Sequence, residues 1–168
     1  MQTLFMVLFA AGIVAADQIT KALVLTYIPL YEQVAVLPGV VGLTYVRNYG
    51  AAFSSFQGMQ WLFALIFLVF TALIVWEYRK KSMPFTKFER WCIAAVYGGG
   101  LGNMIDRLRF GYVVDMIETL FMDFPVFNVA DCCVVCGGIA FCVYYAFFYD
   151  KLEKKEEPKN DDHPEADG

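Results

Sequence analysis

Histidine is almost missing from this 168-residue chain: His163 alone represents it, among the acidic residues near the end. Serine is nearly as scarce, with Ser54, Ser55 and Ser82 the whole supply. A Ser–His or Cys–His nucleophile therefore has very few residues to draw on, and a hydrolytic zinc centre lacks its usual nitrogen ligands. Charge is thin as well. Asp, Glu, Lys and Arg make up 18% of the chain and hydrophobic residues 59%, against about 25% and roughly 45–50% in soluble domains. No basic groove suited to nucleic acid can be read from so few cations.

What is present is apolar sequence in blocks. Leu4 to Ala16 has no charge, Trp61 to Trp76 has only Thr71 as a polar residue, and Cys132 to Tyr149 is apolar throughout. Trp91 to Ile105 is a fourth block, rich in glycine and broken by Asn103. Each falls a little short of the roughly 20 residues of a spanning helix, and its flanks supply the rest. Four such blocks leave too little polar surface to solvate a globule. The expected fold is an all-α polytopic membrane protein, with four transmembrane helices and a small external β-rich cradle. Val14-Ala15-Ala16 resembles a signal-peptide cleavage site, but Met1-Gln2-Thr3 lacks a basic n-region, so the first block is expected to be a retained span.

The cations set an orientation. With an even number of spans and both termini inside, the cytoplasmic segments hold Arg79, Lys80, Lys81, Lys87, Arg90, Lys151, Lys154, Lys155 and Lys159. The outer loops hold Arg47, Arg107 and Arg109, and Lys21 lies near a span end. Positive-inside bias thus places both termini in the cytoplasm. The net charge of −4 arises in the stretch from Asp150 onward, so residues 1–150 form the expected membrane domain and 151–168 a disordered acidic cytoplasmic tail. Cys92, Cys132, Cys133, Cys136 and Cys142 all fall in the third and fourth spans. The Cys133-x-x-Cys136 spacing suits a redox or metal site, but within an apolar helix cysteine reads as a small hydrophobe.

External loops are expected at about 27–60 and 106–127. In the first, Val34 to Leu37 and Val40 to Val46 are β-rich runs separated by Pro38-Gly39, a turn signal. Asp17 and Lys21, four apart on span one, can pair. Gly98 and Gly102 form a small-xxx-small pair that favours close helix packing. Span four opens at Asn128, with Asp131 three residues on, as a capping box does. Capping explains Asn128 well. It explains Asp131 only in part, because a carboxylate one turn into a membrane helix needs a partner or a function.

Polar groups gather at the external end of the bundle. Asn103, Asp106 and Arg107 share a helix face, Asp115 follows in the second loop, and Asn128 and Asp131 begin the next span. Two carboxylates close together in a partly dry site cannot both ionise easily. One can then act as base toward water while the other donates to a carbonyl, the pair titrating as a unit. A serine–lysine dyad of Ser54 or Ser55 with Lys21 is a competing scheme. So is a hard-cation site built from Asp106, Asp115, Glu118 and Asp131. On residue chemistry alone, hydrolysis and proton or cation transport both remain open.

Four segments taken together resemble the lipoprotein signal peptidases, the signal peptidase II family. They are Asp17-Gln18-Ile19-Thr20-Lys21; Arg47-Asn48-Tyr49-Gly50-Ala51-Ala52-Phe53; the stretch from Gly99 to Ile117; and Phe127-Asn128-Val129-Ala130-Asp131. Met116 departs from the Phe that the family often has there. The resemblance implies an aspartyl endopeptidase of the bacterial inner membrane that needs no cofactor or metal. It would hydrolyse the bond before the diacylglyceryl-modified cysteine of a prolipoprotein, near the external face. Asp115 and Asp131 match the catalytic pair. Asn48, Asn103, Arg107 and Asn128 match positions that hold substrate or orient the dyad. The Asp17 and Lys21 motif is expected to be structural, and Asp106 to form a helix-facing salt bridge.

Overall fold

The computed structural model describes residues 1–50, 55–80 and 85–156, the last eight by their backbone alone. Four helices and three strands follow in the order α1 (Gln2–Tyr27), β1 (Gln33–Leu37), β2 (Val41–Asn48), α2 (Gln60–Lys80), α3 (Lys87–Phe110), β3 (Val113–Thr119) and α4 (Val129–Glu156). Among the described residues, three helices are long and apolar enough to cross a membrane: Gln2–Tyr27, Gln60–Lys80 and Val129–Phe148. In α1 and α2 most of the large apolar side chains are exposed, which suits a lipid surround and no aqueous one.

Helix α3 is the one the others pack on, touching α1, α2 and α4. Its glycines make this possible. A Cβ at Gly98 would lie 2.9 Å from the Ala10 carbonyl oxygen of α1, and one at Gly102 would lie 2.6 Å from the Asp17 carboxylate. Gly98 and Gly102 thus form the expected small-residue seam, with α1 as its partner. Gly99 turns the other way and lets the Ala130 carbonyl of α4 approach. The helix starts at a capping box, where Thr86 accepts from Glu89 N and the Glu89 carboxylate accepts from Thr86 N. It ends at Gly111, whose φ of 77° is the left-handed conformation that glycine adopts without strain.

The first external segment folds as its sequence suggests. β1 and β2 pair antiparallel around Pro38-Gly39, with Gly39 at φ 73° and Val40 N donating to Leu37 O. The second external segment differs from expectation. It is not all loop: residues 106–110 finish α3, and Val113–Thr119 form β3, paired antiparallel with β2. The sheet order is β1-β2-β3. Strand alternation then sorts the side chains of β3. Val114 and Met116 pack with Tyr45 of β2 against Val24 and Ile28 at the end of α1, while Val113 and Asp115 face a cleft on the other side. Met116, the departure from the family pattern, is core. The helix of α4 continues past Asp150 to Glu156; residues 157–168, most of the tail, lie outside the described residues.

Candidate active site

The cleft has a volume of roughly 430 Å³, and Asn48, Asn103, Arg107, Asp115 and Asp131 all line it. Asp115 arrives from the middle of β3 and Asp131 from the first turn of α4. Asn128 ties them together. Its Nδ2 donates to Asp115 Oδ1 at 2.7 Å, and its backbone N donates to Asp131 Oδ2 at 3.1 Å. Asp131 N returns a bond to Asn128 Oδ1 at 2.9 Å. The capping box is therefore present, and it also fixes one of the two cleft carboxylates. A carboxylate in the first turn is further favoured by the helix dipole.

Each carboxylate has a second amide donor. Asn48 Nδ2, from the end of β2, donates to Asp115 Oδ2 at 2.9 Å, and Asn103 Nδ2, from α3, donates to Asp131 Oδ1 at 2.7 Å. Asn128 and Asp115 are wholly buried. Burial and the neighbouring Asp131 charge push Asp115 up to about 7, against the opposing hydrogen bonds from Asn48 and Asn128 and the positive charge of Lys21.

Beneath the cleft lies a buried charge cluster. Lys21 Nζ sits 2.8 Å from Asp17 and 3.0 Å from Asp106, and it donates to Asn103 Oδ1 at 2.9 Å. That last bond sets the orientation of the Asn103 amide, since an oxygen facing Lys21 leaves the NH₂ for Asp131. The two aspartates clamp the backbone just before each cleft carboxylate. Asp17 Oδ1 accepts from Ala130 N at 3.1 Å, and Asp106 Oδ2 accepts from Val114 N at 3.0 Å. Gln18 Nε2 bridges to Asp106 at 2.9 Å. The expected Asp17–Lys21 pair and the Asp106 salt bridge are both present, and they share one cation. Asp106 thus lies in the charge cluster and not in the cleft, and Asn103 reaches from one to the other.

Arg107 lies over the Phe63 ring of α2 and donates to Gly50 O at 3.0 Å and to Asn103 O at 3.3 Å. Its buried Nε has no hydrogen-bond partner among the described residues. Gly50 is required here, because a Cβ would collide with the Ser55 carbonyl. Gln18, Gly50 and the wall formed by Phe124, Phe127, Cys132 and Cys136 were given no part in the site from sequence. Only Gly50, inside the Asn-Tyr-Gly run, and the aromatic Phe124-Pro125-Val126-Phe127 stretch carry a local signal.

The competing schemes do not assemble. Lys21 Nζ is taken up by two aspartates and the Asn103 amide beneath the cleft, with no serine hydroxyl among its partners. Ser55 lies in an exposed turn, and Ser54 lies outside the described residues. The four carboxylates considered for a hard cation do not converge: Asp115 and Asp131 share the cleft, but Asp106 faces Lys21 and Glu118 accepts from Gln33 Nε2 at the sheet edge. All five cysteines are free thiols.

Residues 9–148 match the family described as signal peptidase (SPase) II. The chain belongs to the signal peptidase II family. Relatives of similar sequence are lipoprotein signal peptidases of Streptococcus agalactiae and Lactococcus lactis. The first is 41% identical over 131 residues, covering 78% of this chain and 84% of the relative; the second is 39% identical over 154 residues, covering 90% and 97%. A solved bacterial membrane enzyme superposes with a TM-score of 0.77 at 31% identity, covering 92% of this chain and 93% of that one. The protein is accordingly a multi-pass membrane peptidase of the signal peptidase II type, and it cleaves signal peptides from prolipoproteins. Transport, the remaining non-enzymatic reading, is set aside by this membership.

Proposed function

We propose that Asp115 and Asp131 are the catalytic dyad, and that the scissile bond lies just before a diacylglyceryl-modified cysteine. The observation that carries the assignment is the pair of facing carboxylates tethered by Asn128 in one cleft. Asp115, buried and raised to about 7, starts as the acid. Asp131, with its two hydrogen bonds and its helix N-terminus, starts as the base. Asp131 takes a proton from water as the water oxygen adds to the scissile carbonyl carbon, and Asp115 gives its proton to the carbonyl oxygen. The tetrahedral diol then collapses. The C–N bond breaks, the proton held by Asp131 passes to the leaving nitrogen, and Asp115 recovers one from a hydroxyl. Arg107 lines the cleft beside the dyad, and Asn48, Asn103 and Asn128 hold the two acids in register.

In the membrane, α3 acts as the fourth span. Its 24 residues reach about 36 Å, enough for a hydrocarbon core of about 30 Å. Asn103 and Asp106 turn inward to partners, as intramembrane polar groups must. Residues 1–150 form the peptidase unit, with residues 151–168 as a cytoplasmic tail. Both termini are cytoplasmic and the dyad sits near the external face of the inner membrane, where the substrate and the surrounding lipid meet it. Asp115→Asn and Asp131→Asn are each expected to abolish precursor cleavage while the protein stays folded, and Ser55→Ala to retain most of it. Dead serine variants alongside active asparagine variants would refute the dyad. Reporter fusions after Lys155 should read cytoplasm and those after Asp123 the outside; the reverse would put the dyad on the wrong face.

A further inference from the structure

Helices α2 and α4 both pack on α3, and a furrow runs between them. On α4, Asp131, Val135, Gly138 and Cys142 are spaced i, i+4, i+7 and i+11, a single helix face. Asp131 and Val135 line the catalytic cleft, and Gly138 and Cys142 line a second, apolar groove of roughly 320 Å³ toward the far end of the bundle. On α2, Phe63 lies under Arg107, and Phe70, Ile74 and Glu77 continue the same face into that groove. A Cβ built on Gly138 would meet nothing within 4 Å, so the space beside it is open.

Glu77 is the one acid lining this groove. It forms no ion pair among the described residues, and Glu89, near the start of α3, is taken up by the capping box. Lys80 of α2 lies over the Trp76 ring instead. A catalytic cleft and an apolar groove on one face of α4, the groove edged by a carboxylate at its far end, have a definite complement. That complement is an apolar helix with a cationic N-terminus. From Asp131 to Cys142 the face extends about 16 Å. The apolar core of a signal peptide, about 7–15 residues, reaches roughly 10–22 Å as a helix.

We infer that the α2–α4 furrow holds the apolar core of the substrate's signal peptide as a helix, and that Glu77 receives the Lys or Arg side chains of its n-region. This rests on the reaction proposed above and adds where the departing segment binds. The furrow fixes the depth of the scissile bond from the signal-peptide side, as the acyl chains do from the other.

The test uses the purified full chain in lipid-containing micelles, with two diacylglyceryl-modified precursor peptides that differ only in a Lys-Lys or Gln-Gln n-region. With the Lys-Lys precursor, Glu77→Gln should raise KM about 2- to 5-fold, the scale of a partly solvated ion pair, and leave kcat unchanged, as for lost ground-state binding. With the Gln-Gln precursor the two proteins should behave alike. Gly138→Phe, which fills the furrow, should raise KM about tenfold for both precursors. If the n-region charge matters equally in wild type and Glu77→Gln, the assignment of Glu77 is overturned. If Gly138→Phe folds and cleaves both precursors with unchanged KM, the furrow holds something else, such as a lipid chain, and the inference fails. Asp115→Asn, run in parallel, separates the two readings: cleavage surviving in that variant refutes the dyad, whereas its loss alongside a silent Glu77 refutes the furrow alone.

Discussion

Removing the Asn48 amide should move the pH dependence of cleavage in a direction that the geometry fixes. Asp115 sits at about 7 because burial and the Asp131 charge raise it, while hydrogen bonds from Asn48 and Asn128 pull it down. As the acid of the reaction it must start protonated, so kcat/KM falls as pH rises through that value. Asn48→Ala deletes the 2.9 Å donor to Asp115 Oδ2, which favours the ionised form. The carboxyl should therefore hold its proton to higher pH. A hydrogen bond to a charged group contributes about 1.5–3 kcal/mol, and one pH unit corresponds to about 1.4 kcal/mol, so complete loss would shift the limb about one to two units. Water entering the vacated space replaces part of the bond, so the expected shift is about one unit, to near pH 8. The assay is kcat/KM against pH on one diacylglyceryl-modified precursor in fixed detergent. Asn48 Oδ1 also accepts from Gly50 N, so the maximum rate will fall as well, and the position of the limb is the readout. The dyad titrates as a unit, so the limb is a property of the pair. A limb that stays put or moves to lower pH refutes the assignment of Asp115 as the acid.

Two further outcomes follow from the same geometry. Lys21→Met leaves Asp17 and Asp106 buried without their cation and frees the Asn103 amide to turn. It should cost about 3–5 kcal/mol of stability, read as a lower Tm in detergent, and should lower kcat by about 10²-fold in whatever fraction remains folded; an active variant of normal stability would remove the cluster from the positioning of Asp131. A precursor lacking its diacylglyceryl group should be cleaved far more slowly than the lipidated one. Acyl chains bury about 0.8 kcal/mol per CH₂, and a misplacement of about 1 Å can cost about 10²-fold in rate. Equal rates would refute the lipid requirement and leave the dyad standing.

The sequence by itself determined whatever depends on short-range spacing. Apolar blocks marked all four helices, the third in chain order being rich in glycine. The i, i+4 spacing paired Asp17 with Lys21, the i, i+3 spacing of Asn128 and Asp131 made the cap, and Pro38-Gly39 placed the hairpin. These are properties of a few residues on one element, and local backbone geometry is enough to realise them. Tertiary structure decided the rest. Val113–Thr119 became a strand only because β2 offers it an edge, since an isolated run of that length gains too little from its own residues to pair with nothing. Asp106 serves the buried Lys21, 85 positions earlier in the chain, and not the cleft that Asn103 and Arg107 line. Which way the Asn103 amide points, and hence whether Asp131 has its donor, depends on that same lysine. Such orientations are set by groups far apart in sequence and close in space, and in a low-dielectric interior each buried donor must find its acceptor or destabilise the fold.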